Sequence, residues 1–184
     1  MKKRILILGG SSDIAESLVA KINEKKYDVF LHYNSNKPKI KNKKIRLIKQ
    51  NFIALSNPKI KNILKKFKNF EIIINLLGYI DNKTYKNATY NDIIKNFNIN
   101  FFAPYFIIRN SLNYMNQKKF GRIINCSSIG IKFGGGENTF CYSLSKHCTE
   151  FIPKILRNII KDSFGFFHSS FATKSAGKLS TRSS

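Results

Sequence analysis

The sequence predicts an α/β fold built on a doubly wound parallel sheet, and three observations predict it. Short, continuous apolar runs recur along the chain. Each is followed by a stretch of helical period, and runs apolar on both faces mark strands covered by helices on both sides of a sheet. The ends of three runs carry small or polar groups, at Gly9, Asn75 and Ser128. In open α/β sheets ligands sit beyond the carboxyl ends of the strands, so these three residues point to one site.

Ile5-Leu6-Ile7-Leu8 is the first strand. Gly9-Gly10-Ser11-Ser12-Asp13-Ile14-Ala15 follows and opens a helix with Ile14, Leu18, Val19 and Ile22 on one face. Only small residues let backbone N–H groups at a helix start come close to a pyrophosphate. An ordinary tight turn between strand and helix uses the same residues, so the turn alone leaves both readings open. The absence of a Gly-Lys-Ser/Thr ending speaks against a P-loop. Val29-Phe30-Leu31-His32-Tyr33 is the second strand, and Asn34-Ser35-Asn36-Lys37 follows it. No carboxylate stands there for a ribose hydroxyl. Lys37 suits a 2′-phosphate and favours NADP(H) over NAD(H).

Ile45-Arg46-Leu47-Ile48 is the third strand and ends at Gln50-Asn51-Phe52. A helix is expected from near Pro58, at its first turn, to Phe67. Glu71-Ile72-Ile73-Ile74-Asn75 is the fourth strand and opens into Leu76-Leu77-Gly78. Residues 91–118 form a long helical segment, with Pro104 dividing or kinking it. Gly121 to Ser128 is the fifth strand, ending in two serines, and Gly134-Gly135-Gly136 leads to a helix that carries Tyr142.

Tyr142 and Lys146 are four residues apart, so they lie one above the other on a helix face. A phenol ionises near pH 10, and an adjacent ammonium is expected to lower that value and fit the tyrosine for acid–base work. An aromatic ring packed on a lysine stem has the same spacing, and the surrounding motifs decide between the two.

Composition narrows the classes further. At 184 residues and 42% hydrophobic content, the chain has room for one domain with a sizeable core. With 33 basic and 10 acidic residues the formal charge is +23. The lysines are dispersed and no nucleic-acid-binding motif accompanies them, which sets a nucleic-acid-binding module below the other readings; they would still attract anionic ligands. Cys126, Cys141 and Cys148 are few and odd in number, as expected of reduced thiols in a cytoplasmic protein. The apolar run after Lys2-Lys3-Arg4 stops at Gly9, too short for a signal peptide, and no run is long enough to span a membrane.

Taken together, the motifs resemble the short-chain dehydrogenase/reductase family, with the pattern of its 3-oxoacyl-carrier-protein reductase group, over roughly residues 3–165. Leu8 to Ala15 stands where the family has T-G-x-x-x-G-I-G, with Asp13 and Ala15 replacing two glycines. Asp13 would either weaken cofactor binding or cap the helix start. Asn75-Leu76-Leu77-Gly78 matches N-N-A-G, Asn51 stands at the adenine position, and Ile99-Asn100 matches the relay asparagine. Gly121 to Ser128 resembles G-R-I-V-N-I-S-S, and Tyr142 to Lys146 is Y-x-x-x-K.

The resemblance implies a Rossmann-like fold and a carbonyl reductase mechanism. Tyr142 would give a proton to the carbonyl oxygen as hydride arrives from the nicotinamide, and Ser128 would hold that oxygen. Lys146 would lower the tyrosine pKa and bind the ribose, and Asn100 would position a water that resupplies the proton. Gly9, Ser11, Ser12, Asp13, Ile14, Asn34, Lys37, Asn51, Asn75, Gly78, Tyr142 and Lys146 form the implied cofactor set. The implied substrate is a small-molecule ketone, or the matching alcohol, and the implied assembly is a homodimer or homotetramer.

The chain departs from the family after Lys146. Pro153 falls inside the expected helix, where a lost hydrogen bond costs ~3 kcal/mol. Phe164 to His168 stands where the sixth strand is expected. The serine-rich stretch 163–184 reads as an atypical tail beside a 1–162 domain, and no seventh strand follows. These features are expected of a C-terminally truncated, frameshifted reductase, tested by seeking the lost Pro-Gly motif in downstream DNA. The competing expectation is an impaired remnant that binds nucleotide or a partner chain without turnover.

Overall fold

Lys3–Leu8 forms β1, and both of its neighbours in the sheet come from elsewhere in the chain. The computed structural model describes residues 2–40, 42–159 and 165–171. The other strands are β2 (Tyr27–Tyr33), β3 (Arg46–Lys49), β4 (Ile72–Asn75), β5 (Gly121–Ser127) and β6 (Gly165–Phe171). All pair in parallel, in the order β3-β2-β1-β4-β5-β6. The order reverses between β1 and β4, where such sheets open a ligand crevice. Leu8 pairs with Asn75 and Asn75 with Asn125, so the ends of β1, β4 and β5 lie level.

The helices are α1 (Asp13–Lys21), α2 (Asn57–Lys66), α3 (Tyr90–Phe97), α4 (Ala103–Gln117) and α5 (Phe140–Ile159). Strand side chains alternate between faces, so β1 feeds two cores. Ile5 and Ile7 join Ala15 and Val19 of α1 on one face. Leu6 and Leu8 join Phe67, Phe70, Ile107 and Ile108 on the other. The continuous apolar runs of the sequence are explained by this two-sided covering.

Helix α1 starts at a cap, and the cap is Ser12 rather than Asp13. Ser12 Oγ accepts from the Ala15 N–H at 3.2 Å, while Asp13 follows in the first turn with Glu16, where negative charge meets the positive end of the helix dipole. Thr89 and Asp92 cap α3 reciprocally. Residues 91–118 are divided, as Pro104 suggested, by a π-helical turn at Asn98–Phe102. Pro104 has no N–H to offer the Asn100 carbonyl four residues earlier, and that carbonyl accepts from the Thr149 hydroxyl at 3.0 Å.

The sixth strand is present and runs further than the sequence suggested. Gly121 pairs with Gly165 and the register continues to Ser127 with Phe171. Helix α5 continues through Pro153. The remainder of the 163–184 stretch, expected to be an atypical tail without a seventh strand, lies outside the described residues.

Phe67 is fully buried between α2 and the sheet. Phe67→Ala is expected to lower stability by about 3–5 kcal/mol, read as a lower urea midpoint. Tyr85→Ala, at a side chain 67% exposed, should stay within about 0.5 kcal/mol of the parent.

Candidate active site

The turn after β1 is built so that no side chain could replace its glycines. Gly9 has φ +82°, and a Cβ there would lie 2.8 Å from the Leu76 backbone. A Cβ on Gly10 would lie 2.3 Å from the Leu31 side chain. Gly10 N donates to the His32 carbonyl at 2.7 Å, and Gly9 N donates to His32 Nδ1 at 3.3 Å. Ser12 Oγ donates to the Gly9 carbonyl at 3.1 Å, and the Ser11 hydroxyl donates to the Asn36 carbonyl, tying the loop after β2 to the turn.

These groups edge an open cleft of about 310 Å³ whose lining includes Gly9, Ser11, Ser12, Asn34 and Gly78. A bare glycine turn at the start of α1, beside a cleft at the strand ends, fits the phosphates of a dinucleotide. The Asp13 and Glu16 carboxylates in that first turn have the opposite tendency.

The second half of the site is set by α5. Burial lifts the Tyr142 phenol above its ordinary pKa, and a hydrogen bond with the Ser128 hydroxyl works in the other direction. Gly78 faces the ring, since a Cβ there would lie 3.9 Å from Tyr142 Cε2. Lys146 Nζ lies 6.0 Å from the ring centroid. The side chain is 2% exposed and its ammonium donates to the carbonyls of Leu77 at 2.6 Å and Cys126 at 2.9 Å. Burial lowers its pKa to about 8.

The expected effect of Lys146 on Tyr142 is therefore absent here. The phenol is shifted up, not down, because desolvation outweighs the hydrogen bond with Ser128. The Asn100 amide is committed. Its Nδ2 donates to the Tyr79 carbonyl at 3.0 Å and to Ser145 Oγ at 2.9 Å, and its Oδ1 accepts from Tyr79 N at 2.8 Å. Both donors brace α5 and the loop after β4.

The predicted residues thus fall into groups. Ser128, Tyr142, Lys146 and Gly78 come together, and Gly9, Ser11, Ser12 and Asn34 line the adjoining cleft. Asp13 and Ile14 start α1, with Ile14 exposed. Asn75 is fully buried; its Nδ2 donates to Asn125 Oδ1 at 3.2 Å and its Oδ1 accepts from Leu77 N at 3.2 Å, so it shapes the turn without facing the cleft. Asn51 lines a separate cavity of about 490 Å³ with Lys59 and Lys66, and its Oδ1 accepts from Ile53 N. Lys37 is exposed in the loop after β2, outside the cleft lining.

Sequence reasoning missed His32, Ser145 and Thr149. The signal for His32 was a polar residue inside an otherwise apolar run; Ser145 and Thr149 repeat at four residues on the face of α5 that carries Tyr142's neighbours. All three cysteines are free thiols. Among the described residues no group of three or more His, Cys, Asp or Glu side chains is placed to hold a metal, and no helix is long and apolar enough to cross a membrane.

Comparison with known proteins agrees with this fold. A family model described as short chain dehydrogenase matches residues 3–161. The 3-oxoacyl-[acyl-carrier-protein] reductase FabG of Rickettsia prowazekii is 30% identical over 146 residues, which is 77% of this chain and 60% of that protein. The chain thus spans three fifths of the length of that curated relative. A short chain dehydrogenase family protein of Francisella tularensis superposes with a TM-score of 0.77 at 20% identity, covering 92% of this chain and 68% of that one. A 4-hydroxyisoleucine dehydrogenase solved with NADH and succinate does so with a TM-score of 0.74 at 18% identity, covering 90% and 77%. With the family model matching residues 3–161 of the chain and the sheet order, glycine turn and tyrosine–lysine helix in place, the chain belongs to the short-chain dehydrogenase family, whose members are oxidoreductases.

Proposed function

We propose that the protein is an NADP(H)-dependent oxidoreductase that reduces a small-molecule ketone, a 3-oxoacyl group among them, or oxidises the matching secondary alcohol. The observation that carries this reading is the contact of Ser128 with Tyr142 above a buried Lys146, at the edge of the glycine-turn cleft. The NADH complex of the similar dehydrogenase supports a dinucleotide in the cleft. Gly9, without a side chain, would let its phosphates approach, Ser11 and Ser12 would take them, and Asn34 and Lys37 would take the ribose end. Lys37 is the support for a 2′-phosphate.

When bound, the nicotinamide supplies the hydride to the carbonyl carbon. Tyr142 gives its phenolic proton to the carbonyl oxygen, and Ser128 donates a hydrogen bond to the same atom. Burial that raises the Tyr142 pKa keeps the phenol protonated at neutral pH, which suits the reductive direction. Lys146 holds the carbonyls of Leu77 and Cys126 and so keeps the two strand ends flanking Tyr142 fixed. Asn100 braces α5 through Ser145, which positions Tyr142 rather than touching substrate. The free thiols support a cytoplasmic setting. Half-buried Phe97, Phe101 and Phe102 beside α4, with Phe151 of α5 60% exposed, support a homodimer or homotetramer built on these helices.

Tyr142→Phe should reduce ketone-dependent NADPH oxidation about 10²–10⁴-fold in a protein whose circular dichroism is unchanged. Wild-type NADPH binding without any turnover across a ketone panel would instead assign a nucleotide-binding chain without catalysis. The pH profile of the reductive rate should be level near neutrality and fall as pH rises through about 8, where Lys146 loses its proton and its charge-assisted hydrogen bonds to Leu77 and Cys126 weaken. Lys146→Arg, always charged, should remove that descending limb. Lys37→Glu should lower the NADPH-to-NADH preference roughly tenfold or more, read from the two dissociation constants, each tenfold corresponding to about 1.4 kcal/mol.

A further inference from the structure

His32 is 2% exposed and stands at the cleft wall near the end of β2. A buried imidazole needs a partner for each nitrogen. Nδ1 lies 3.3 Å from Gly9 N, and Nε2 lies 2.9 Å from the Gln50 carbonyl oxygen. A backbone N–H only donates and a carbonyl only accepts. One arrangement satisfies both contacts: a neutral ring that donates Nε2–H to Gln50 and accepts at Nδ1 from Gly9.

The ring has little freedom to do otherwise. It stacks on Phe52 at 4.6 Å and meets Phe67 edge-on at 5.9 Å. Burial holds its pKa down to about 4, so the neutral form persists across the physiological range. The backbone carbonyl of the same residue accepts the Gly10 N–H at 2.7 Å. One residue thus takes both glycine amides of the turn, while the Leu76 backbone closes against Gly9 from the other side.

We propose that His32 is the positioning residue of the nucleotide cleft: Nδ1 holds the Gly9 amide, Nε2–H anchors the ring to the end of β3, and the glycine turn is fixed before a phosphorylated dinucleotide arrives. The proposal rests on reading the cleft as a dinucleotide site. Its physical content is preorganisation, since a turn already ordered loses less freedom on binding. A plain core histidine would fill the same space without caring which nitrogen is paired.

Three variants separate the two. His32→Asn keeps an acceptor near the Nδ1 position but does not reach Gln50. His32→Gln reaches Gln50 and places nothing at Gly9. His32→Phe keeps the stack and neither bond. The expected NADPH dissociation constant of His32→Asn is within about threefold of wild type, while His32→Gln and His32→Phe weaken at least tenfold, with the loss in KM for NADPH rather than in the saturated rate. Amide hydrogen exchange at Gly9 should stay slow in wild type and His32→Asn and quicken in the other two. Equal affinity and equal Gly9 exchange in the Asn and Gln variants would overturn the proposal. If wild type binds no NADPH, the dinucleotide reading fails, and the Gly9 exchange pattern still decides whether His32 holds the turn. If the variants do not fold, long-range proton–nitrogen NMR of the wild-type imidazole decides: a neutral Nε2–H ring sustains the proposal, and an Nδ1–H ring or an imidazolium overturns it.

Discussion

A single ammonium joins the ends of two strands to a helix. Lys146 Nζ donates to the carbonyl of Leu77, in the turn after β4, and to that of Cys126, in the last part of β5. Removing a charge from water is costly unless hydrogen bonds replace the lost hydration, and burial lowers the Lys146 pKa to about 8. Ser145 and Thr149 add hydrogen bonds from α5 to Asn100, one at its amide and one at its carbonyl. The approach of α5 to the sheet is therefore set by polar contacts at defined atoms as well as by apolar packing. Tyr142 reaches Ser128 and Gly78 because the helix that carries it is held in this way.

The sheet was largely legible because its cause is local and repetitive. Leu6 and Leu8 point to one core and Ile5 and Ile7 to the other, and that two-sided burial is written directly as an unbroken apolar run. Tyr142 and Lys146 were legible because helix geometry converts a spacing of four into adjacency. The partners of these residues were not. Whether a lysine spends its ammonium on a phenol or on two carbonyls depends on chain segments some 20 and 69 residues away. The direction of the Tyr142 shift depends on burial, which spacing does not encode. Ser12 and Asp13 are both good cap residues, and only the backbone conformation at Ser12 decides between them. Ser169, Ser170 and Phe171 gave no strong strand signal, yet they continue β6 because β5 offers its edge over the full register.

Charge shapes the surroundings of the site more than its scaffold. The ion pairs of Lys44 with Glu24, at 3.6 Å, and Arg46 with Asp28, at 3.4 Å, involve largely exposed basic side chains and contribute little. Basic groups elsewhere lie over aromatic rings, as Arg4 does against Phe30 and Phe70 at 4.6 and 4.9 Å. Most of the +23 formal charge is thus a field rather than a set of pairs. Such a field raises the local concentration of phosphorylated ligands and weakens with salt, so under the proposed function it would assist capture of a dinucleotide without specifying one. Specificity falls to the fixed elements, the glycine turn held by His32 and the tyrosine held by α5.

The most direct measurement is thermal unfolding followed by circular dichroism, with and without NADPH. A ligand that binds only the folded chain adds about 2.7 kcal/mol of stability at one hundred times its dissociation constant. The account predicts one cooperative transition that moves upward with NADPH, and by less with NADH at the same concentration. A transition that neither nucleotide moves, at concentrations up to the millimolar range, would contradict it.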